Sequence, residues 1–137
     1  MLRDDWNGFN VLHRAASRVG GLDLDIIPSR KGKATNDIIK ACASGEIKVL
    51  YLLGSDEIDM EVLGSVFVIY QGHHGDKGAH RADVILPGAA YTEKDATYVN
   101  TEGRVQRAYL AFYPPGEAKE DWQIVQMVAQ KAGLEFS

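Results

Sequence analysis

Ile47-Lys48-Val49-Leu50-Tyr51-Leu52-Leu53-Gly54 is a nearly continuous apolar run ended by a glycine. Two shorter runs follow, Val66-Phe67-Val68-Ile69-Tyr70 and Val84-Ile85-Leu86, the second closed by Pro87-Gly88. Strands that are apolar on both faces suit a sheet covered on both sides, as parallel sheets are. Residues 54–65 and 71–83 separate the runs, which meets the dozen or so residues that a parallel crossover needs. Glu57–Leu63 can supply a short helix within the first crossover. The reading is an α/β fold with an open, mainly parallel sheet and flanking helices.

Upstream, Thr35 is a good N-cap for a helix whose buried face is Ile38, Ile39 and Cys42, with Gly45 as its stop. Further back, Asn10 can cap a helix with the stripe Val11, Leu12, Ala15, Ala16 and Val19, ended by Gly20-Gly21. Residues 22–34, with Pro28, Ser29 and Gly32, read as a loop long enough to cover or contact something. Downstream, Thr97–Val99 and Arg104–Gln106 read as a hairpin or as irregular extended strands. Pro114-Pro115-Gly116 breaks the chain. A last helix runs from about Glu117 to Ala132, with Trp122, Val125, Val128, Ala129 and Ala132 on one side. The organisation is one unit over 1–137: a helix plus long loop (1–34), an α/β core (35–106), and a linker with a C-terminal helix (107–137).

With 137 residues, 45% of them hydrophobic, and a net charge of −4, the chain can bury a real core and is not of the disordered class. The acidic balance argues against a general nucleic-acid binder; Arg30-Lys31-Gly32-Lys33 reads as a solvated loop. Cys42 is the only cysteine. It reads as a small buried apolar residue, and a lone cysteine allows neither an intrachain disulfide nor a cysteine metal cluster. No stretch approaches the ~20 apolar residues of a membrane span, and the opening is not a signal peptide, so a soluble chain is expected.

In an open α/β sheet, ligands bind beyond the carboxyl ends of the strands. Three loops leave those ends: Gly54–Glu57, Gln71–Gly78 and Pro87–Asn100. Their glycines would let a ligand or another backbone approach closely. Asp56 and Asp83 have acid–base chemistry, though Asp83, opening a strand, more simply bonds backbone N–H groups. His73, His74 and His80 lack a carboxylate at ligand spacing and read as loop hydrogen-bonders, His13 as a surface group. No Gly-x-Ser-x-Gly surrounds Ser44, Ser55 or Ser65. Gly32-Lys33-Ala34-Thr35 is not a phosphate loop, and Gly72, Gly75 and Gly78 do not have dinucleotide-fingerprint spacing. Trp6, Trp122, Tyr109, Phe112 and Tyr113 read as core or interface aromatics; an exposed cluster would favour a protein partner. With no nucleophile–base pair, the loops suit binding or docking more than reaction.

Ala82-Asp83-Val84-Ile85-Leu86-Pro87, Thr92-Glu93 and Thr97-Tyr98-Val99-Asn100-Thr101-Glu102-Gly103-Arg104-Val105-Gln106 resemble the molybdopterin oxidoreductase superfamily. Leu50–Glu57, Tyr70–Gly75, Pro115-Gly116-Glu117-Ala118, Asp121-Trp122 and the opening Trp6–His13 narrow the likeness. Over essentially the whole chain they resemble the large iron–sulfur subunits of NADH:quinone oxidoreductases, respiratory complex I. The resemblance implies a piece of the C-terminal, molybdopterin-oxidoreductase-like region of a much longer subunit. The cysteine motifs for its iron–sulfur clusters lie outside this piece. The enzyme so implied is proton-translocating and passes electrons from NADH to quinone through those clusters. For this piece the resemblance implies a structural role, with no catalytic residue, metal or cofactor of its own. It also implies a vestigial crevice near Asp56, Gln71, Asp83 and Asn100. The implied partners are other peripheral-arm subunits and the rest of the same subunit, not nucleic acid, with membrane contact only indirect. The implied location is peripheral, on the cytoplasmic face of a bacterial inner membrane or the mitochondrial matrix side.

The alternative is a cofactor-binding module of an active molybdopterin-guanine-dinucleotide oxidoreductase. Asp56-Glu57 stands where such enzymes have Asn-Pro, and Asp76-Lys77-Gly78 where they have Thr-Glu-Thr. The acidic pair would repel an anionic dinucleotide. A free-standing hydrolase lacks any triad. Ala96 replaces a usual glycine, at ~1 kcal/mol if that position needs positive φ. Thr97, Asn100, Glu102 and Arg104 read as locking the loop and hairpin through side-chain bonds to backbone.

Overall fold

The computed structural model describes residues 2–8, 11–13, 15, 17–28 and 32–134. Two short strands, β1 (Leu2–Arg3) and β2 (Trp6–Asn7), pair antiparallel. Then come α1 (Arg18–Asp23), α2 (Thr35–Ala43), β3 (Val49–Leu53) and a 3-10 turn at Glu61–Leu63. They are followed by β4 (Phe67–Gly72), α3 (Lys77–Arg81) and β5 (Val84–Pro87). The hairpin strands β6 (Ala96–Val99) and β7 (Val105–Ala108) precede α4 (Asp121–Lys131).

The three apolar runs form one sheet in the order β3-β4-β5, with both pairings parallel. Tyr51, Ile69 and Val84 lie in register, as do Leu53, Gln71 and Leu86. Side chains alternate across a strand. Leu50, Leu52, Val68 and Tyr70 therefore share one face, and all four are buried. That face packs on Cys42 of α2, Met60, Leu63 and Ala79 of α3, with Ile38 and Ile39 alongside. Burying each such aliphatic side chain is worth ~1.5–3 kcal/mol. α4 meets the opposite face near Gln71 and Leu86, while Val49, Phe67 and Val84 are exposed there.

Several local expectations are corrected. Val11–His13 is not helical; α1 starts at Arg18 and contains Gly20-Gly21 instead of ending at them. The reason is tertiary. A Cβ on Gly20 would lie 3.4 Å from Val99 Cγ2, so the bare glycine lets α1 sit against the hairpin. Asn10 and Ala16, from the predicted helix, and Arg30-Lys31, from the basic stretch, lie outside the described residues. Thr35 is the first residue of α2 and not its cap: Ala34 is extended at the cap position and accepts the N–H groups of Asp37 and Ile38. The first crossover has only the 3-10 turn, entered where Asp59 Oδ1 accepts the Glu61 N–H at 3.1 Å and left at Gly64 with φ 64°. α4 starts at Asp121 and buries Ile124 and Ala129, leaving Trp122 exposed. Tyr109, Phe112 and Tyr113 are also exposed, so they are not core aromatics.

The open alternative downstream resolves as an antiparallel hairpin, with Thr97 opposite Arg107 and Val99 opposite Val105. Asn100 Oδ1 accepts the N–H groups of Glu102 (3.0 Å) and Arg104 (2.9 Å), and Gly103 takes φ 79°. Asn100 thus locks the turn by its side chain, while Glu102 and Arg104 contribute backbone N–H groups to it. Ala96 is extended and pairs with Ala108, so no positive φ is demanded of it.

Candidate functional site

Parallel pairing brings the loops after β3, β4 and β5 to one edge of the sheet. The glycines of that edge are packed by the protein itself. Tyr70 is 1% exposed, and its hydroxyl donates to Asp56 Oδ2 at 2.9 Å. Asp56 Oδ1 accepts the backbone N–H of Gly78 at 2.9 Å, in the first turn of α3. A Cβ on Gly72 would fall 2.6 Å from Tyr70 Cζ, and one on Gly78 would fall 2.6 Å from Asp56 Oδ1 and 2.9 Å from the Tyr70 ring. The room left by two missing side chains is therefore filled by one phenol and one carboxylate. Burial pushes the Tyr70 hydroxyl up to about 12, helped by its bond to Asp56 and by the charges of Asp56 and Asp76. It is a neutral hydrogen-bond donor at ordinary pH.

A second network crosses to α4. Gln71 is fully buried, and its Oε1 accepts from the Tyr51 hydroxyl. Its Nε2 donates to the Asp121 carbonyl (3.2 Å) and to Asp121 Oδ1 (2.9 Å). Asp121 Oδ2 pairs with Lys94, from the loop after β5. The Tyr51 hydroxyl is raised by burial first and by the Asp121 charge second. A Cβ on Gly88 would lie 3.3 Å from Asp121 Oδ1 and 3.5 Å from Gly72 Cα, so the loops meet backbone against backbone.

Of the four crevice residues read from sequence, Asp56 and Gln71 both lie at this edge, in separate networks. Asp83 lies at the other end of the sheet: its Oδ2 accepts the Val68 N–H at 2.7 Å and stands 3.5 Å from Arg81. Arg81 also donates to the carbonyls of Gly64 (3.0 Å) and Val66 (2.9 Å), tying together the amino ends of β4 and β5. Asn100 is in the hairpin turn. Sequence reasoning missed Tyr51, Tyr70, Lys94 and Asp121 as members of these networks. The available signal was two tyrosines inside otherwise aliphatic strands, since a buried phenol needs a partner.

The loop after β5 is similarly self-bonded. The Ala90 N–H donates to Glu93 Oε2 at 2.9 Å, and the Leu110 N–H to Asp95 Oδ1 at 2.8 Å. His73 and His74 are exposed, with ring centroids 4.1 Å apart. Among the described residues no group of three His, Cys, Asp or Glu could hold a metal ion. Burial pushes the Cys42 thiol up, which disfavours the reactive thiolate. Residues 22–27 and the hairpin enclose an open apolar groove of about 740 Å³, lined by Leu22, Ile26, Ile27, Val99 and Val105. At the sheet edge, phenol, carboxylate and amide hold the loops together.

The pattern of the molybdopterin oxidoreductase family matches residues 1–131. The chain is 54% identical to the NADH-ubiquinone oxidoreductase 75 kDa subunit of Reclinomonas americana, over 92% of this chain and 18% of that one. It is 51% identical to an NADH-quinone oxidoreductase subunit of Rickettsia typhi, over 94% of this chain and 17% of that one. The structure of acetylene hydratase from Pelobacter acetylenicus superposes with a TM-score of 0.64 at 23% identity, over 73% of this chain and 16% of that one, which is a likeness of fold. The chain thus spans only 17–18% of the length of these curated relatives. Among the described residues no helix is long and apolar enough to cross a membrane.

Proposed function

This chain belongs to the molybdopterin oxidoreductase family, and from that premise we propose that it is a structural, non-catalytic portion of the large iron–sulfur subunit of an NADH–quinone oxidoreductase. Identity near 50% over nearly the whole chain supports the assignment. In this reading the chain braces the peripheral arm, on the cytoplasmic or matrix side. Electrons pass from NADH to quinone through iron–sulfur clusters held elsewhere in the subunit. Its partners are the rest of that subunit and neighbouring arm subunits. Residues 1–34, 35–106 and 107–137 serve as flank, core and closing helix of one unit.

The family name raises a pterin dinucleotide, and the residues at the sheet edge do not fit one. The observation that carries this is the Tyr70 ring standing in the space of Gly72 and Gly78. The Gly78 N–H that an anion could use is already held by Asp56. Asp56, Glu57 and Asp76 would add like charge against phosphates. Asp83 and Asn100 are committed to backbone N–H groups away from this edge. The edge therefore acts as a packed joint between loops.

The test is a chimera in which this chain replaces the matched segment of the Rickettsia typhi subunit, together with measurements on the purified chain. The chimera should assemble and support NADH:quinone reduction. The purified chain should hold no iron or molybdenum by elemental analysis and give no saturable heat with GDP. Stoichiometric molybdenum or a GDP isotherm would favour the alternative, a module of an active molybdopterin enzyme.

A further inference from the structure

We propose that the outer edge of β3 is a strand-docking site. Its occupant is an extended apolar strand running parallel to β3, supplied by the remainder of a polypeptide of the relatives' length. This rests on reading the chain as a portion of that large subunit. The ladder fixes which groups are free. The Phe67 N–H donates to the Lys48 carbonyl at 3.0 Å, and the Gly54 N–H to the Gln71 carbonyl at 2.7 Å. In a parallel pair, alternate residues bond to the same neighbour. Lys48, Leu50, Leu52 and Gly54 therefore turn their amide groups to β4. Val49, Tyr51 and Leu53 turn theirs to the side where, among the described residues, no strand pairs.

This edge carries none of the features that keep an edge strand single. Soluble proteins blunt such edges with charge, proline or a bulge. The segment Val49-Leu50-Tyr51-Leu52-Leu53 has no charge and no proline, and its register with β4 is unbroken from Val49 to Leu53. Val49 and Leu53 are each 56% exposed. The other edge is treated differently. There β5 ends in Pro87, and Lys119 pairs beside it, with the Lys119 N–H on the Pro87 carbonyl and the Ala89 N–H on the Lys119 carbonyl.

Strand order sets the direction and chemistry of the occupant. β3, β4 and β5 step one way from β3, as one half of a doubly wound sheet does; the other half starts beside that first strand and winds back. A strand placed there is parallel, covered on both faces, and hence apolar throughout. Over four-fifths of the relatives' length lies outside the match, which provides ample chain for it. A second copy is a poorer occupant, because a two-fold axis through this edge would set two β3 strands antiparallel.

Residue-resolved amide hydrogen exchange on the free chain and on the Rickettsia chimera tests the proposal. Leu50 and Leu52 should exchange slowly in both. Val49, Tyr51 and Leu53 should exchange fast in the free chain and slow by ~100-fold or more in the chimera. Val49→Pro removes one outward N–H without touching the β3–β4 ladder. It should leave the free chain's unfolding midpoint unchanged and lower chimera yield several-fold. Fast exchange at the three positions in the chimera overturns the proposal. So does slow exchange in the free chain with dimer mass by sedimentation, or an equal effect of Val49→Pro on both proteins. If the chimera does not accumulate, the aligned amides of the unmodified Rickettsia subunit decide. Protection at those amides without NADH:quinone turnover by the chimera would remove the functional reading and leave the docking site standing.

Discussion

Replacing Tyr70 by phenylalanine keeps the ring that fills the sheet edge and deletes only the hydroxyl. The lost bond is a 2.9 Å donation to the Asp56 carboxylate. Hydrogen bonds to charged groups are worth ~1.5–3 kcal/mol net. Asp56 keeps its Gly78 bond and is only partly buried, so water recovers some of the loss, which places the cost near ~1.5 kcal/mol at neutral pH. The alkaline limb gives a second, independent signature. In the folded chain the Tyr70 hydroxyl is pushed up to about 12 from an ordinary value of 10. Between those values the unfolded chain has released this proton and the folded chain has not. The unfolded state then binds fewer protons, so stability is lost as pH rises, by ~3 kcal/mol across the window. The phenylalanine variant has no proton to lose at this position. Urea unfolding at pH 7, 9, 10.5 and 11.5 should find the natural chain ahead by ~1.5 kcal/mol at the lower two values, with the curves converging by pH 10.5 and crossing near pH ~11. Tyr51 adds a falling limb of its own to both proteins, so the readout is the difference between them. Equal stability at pH 7, or parallel alkaline limbs, would refute the Tyr70–Asp56 reasoning.

Gly78→Ala would put a methyl 2.6 Å from Asp56 Oδ1 and 2.9 Å from the Tyr70 ring, and should destabilise by ~1–3 kcal/mol in urea unfolding. Gly75→Ala, with nothing within 4 Å, is the control and should fall within ~0.5 kcal/mol of the natural chain. Gln71→Leu leaves the half-buried Tyr51 hydroxyl and Asp121 without their shared partner and should cost ~1–2 kcal/mol. Because Gln71 bridges the sheet to α4, that variant should also be cleaved faster by protease in the 109–116 segment, and unchanged cleavage would contradict the bridging role. Cys42 should react with a thiol reagent at pH 8 at least ~100-fold more slowly in the folded chain than in urea, since it is buried with its thiol raised; equal rates would place it elsewhere.

The sheet was legible because its signal is local and redundant. Each strand is an apolar run, each run is punctuated by glycine or proline, and the separations exceed what a hairpin uses. Helix α1 was not legible, because Gly20 packs against Val99, which is distant in sequence. Gly20-Gly21 carries the same local stop signal whether or not a hairpin arrives to pack on it. The candidate site was legible only as a set of strand-end loops, and the structure places Asp56 and Gln71 at that edge, each bonded to protein groups. Asp83 precedes its strand, and in a parallel sheet a residue before a strand lies at the edge away from the strand-end loops. Tyr70 was hidden by its neighbours: in an aliphatic run a tyrosine reads as bulk, and nothing local reveals which way its hydroxyl points.

A shared fold does not carry a shared ligand with it. A glycine-lined rim in a parallel sheet is open space that either a ligand or a side chain can take. Here two side chains take it together, and each blocks a different part. The Tyr70 ring occupies volume over Gly72 and Gly78, while the Asp56 carboxylate holds the N–H that would receive an anion. Removing the carboxylate leaves the ring in place, and removing the ring leaves the carboxylate on Gly78. Each residue gains from the other, since the phenol donates to the carboxylate. A joint of this kind holds the loop after β3 against the start of α3 through protein groups alone.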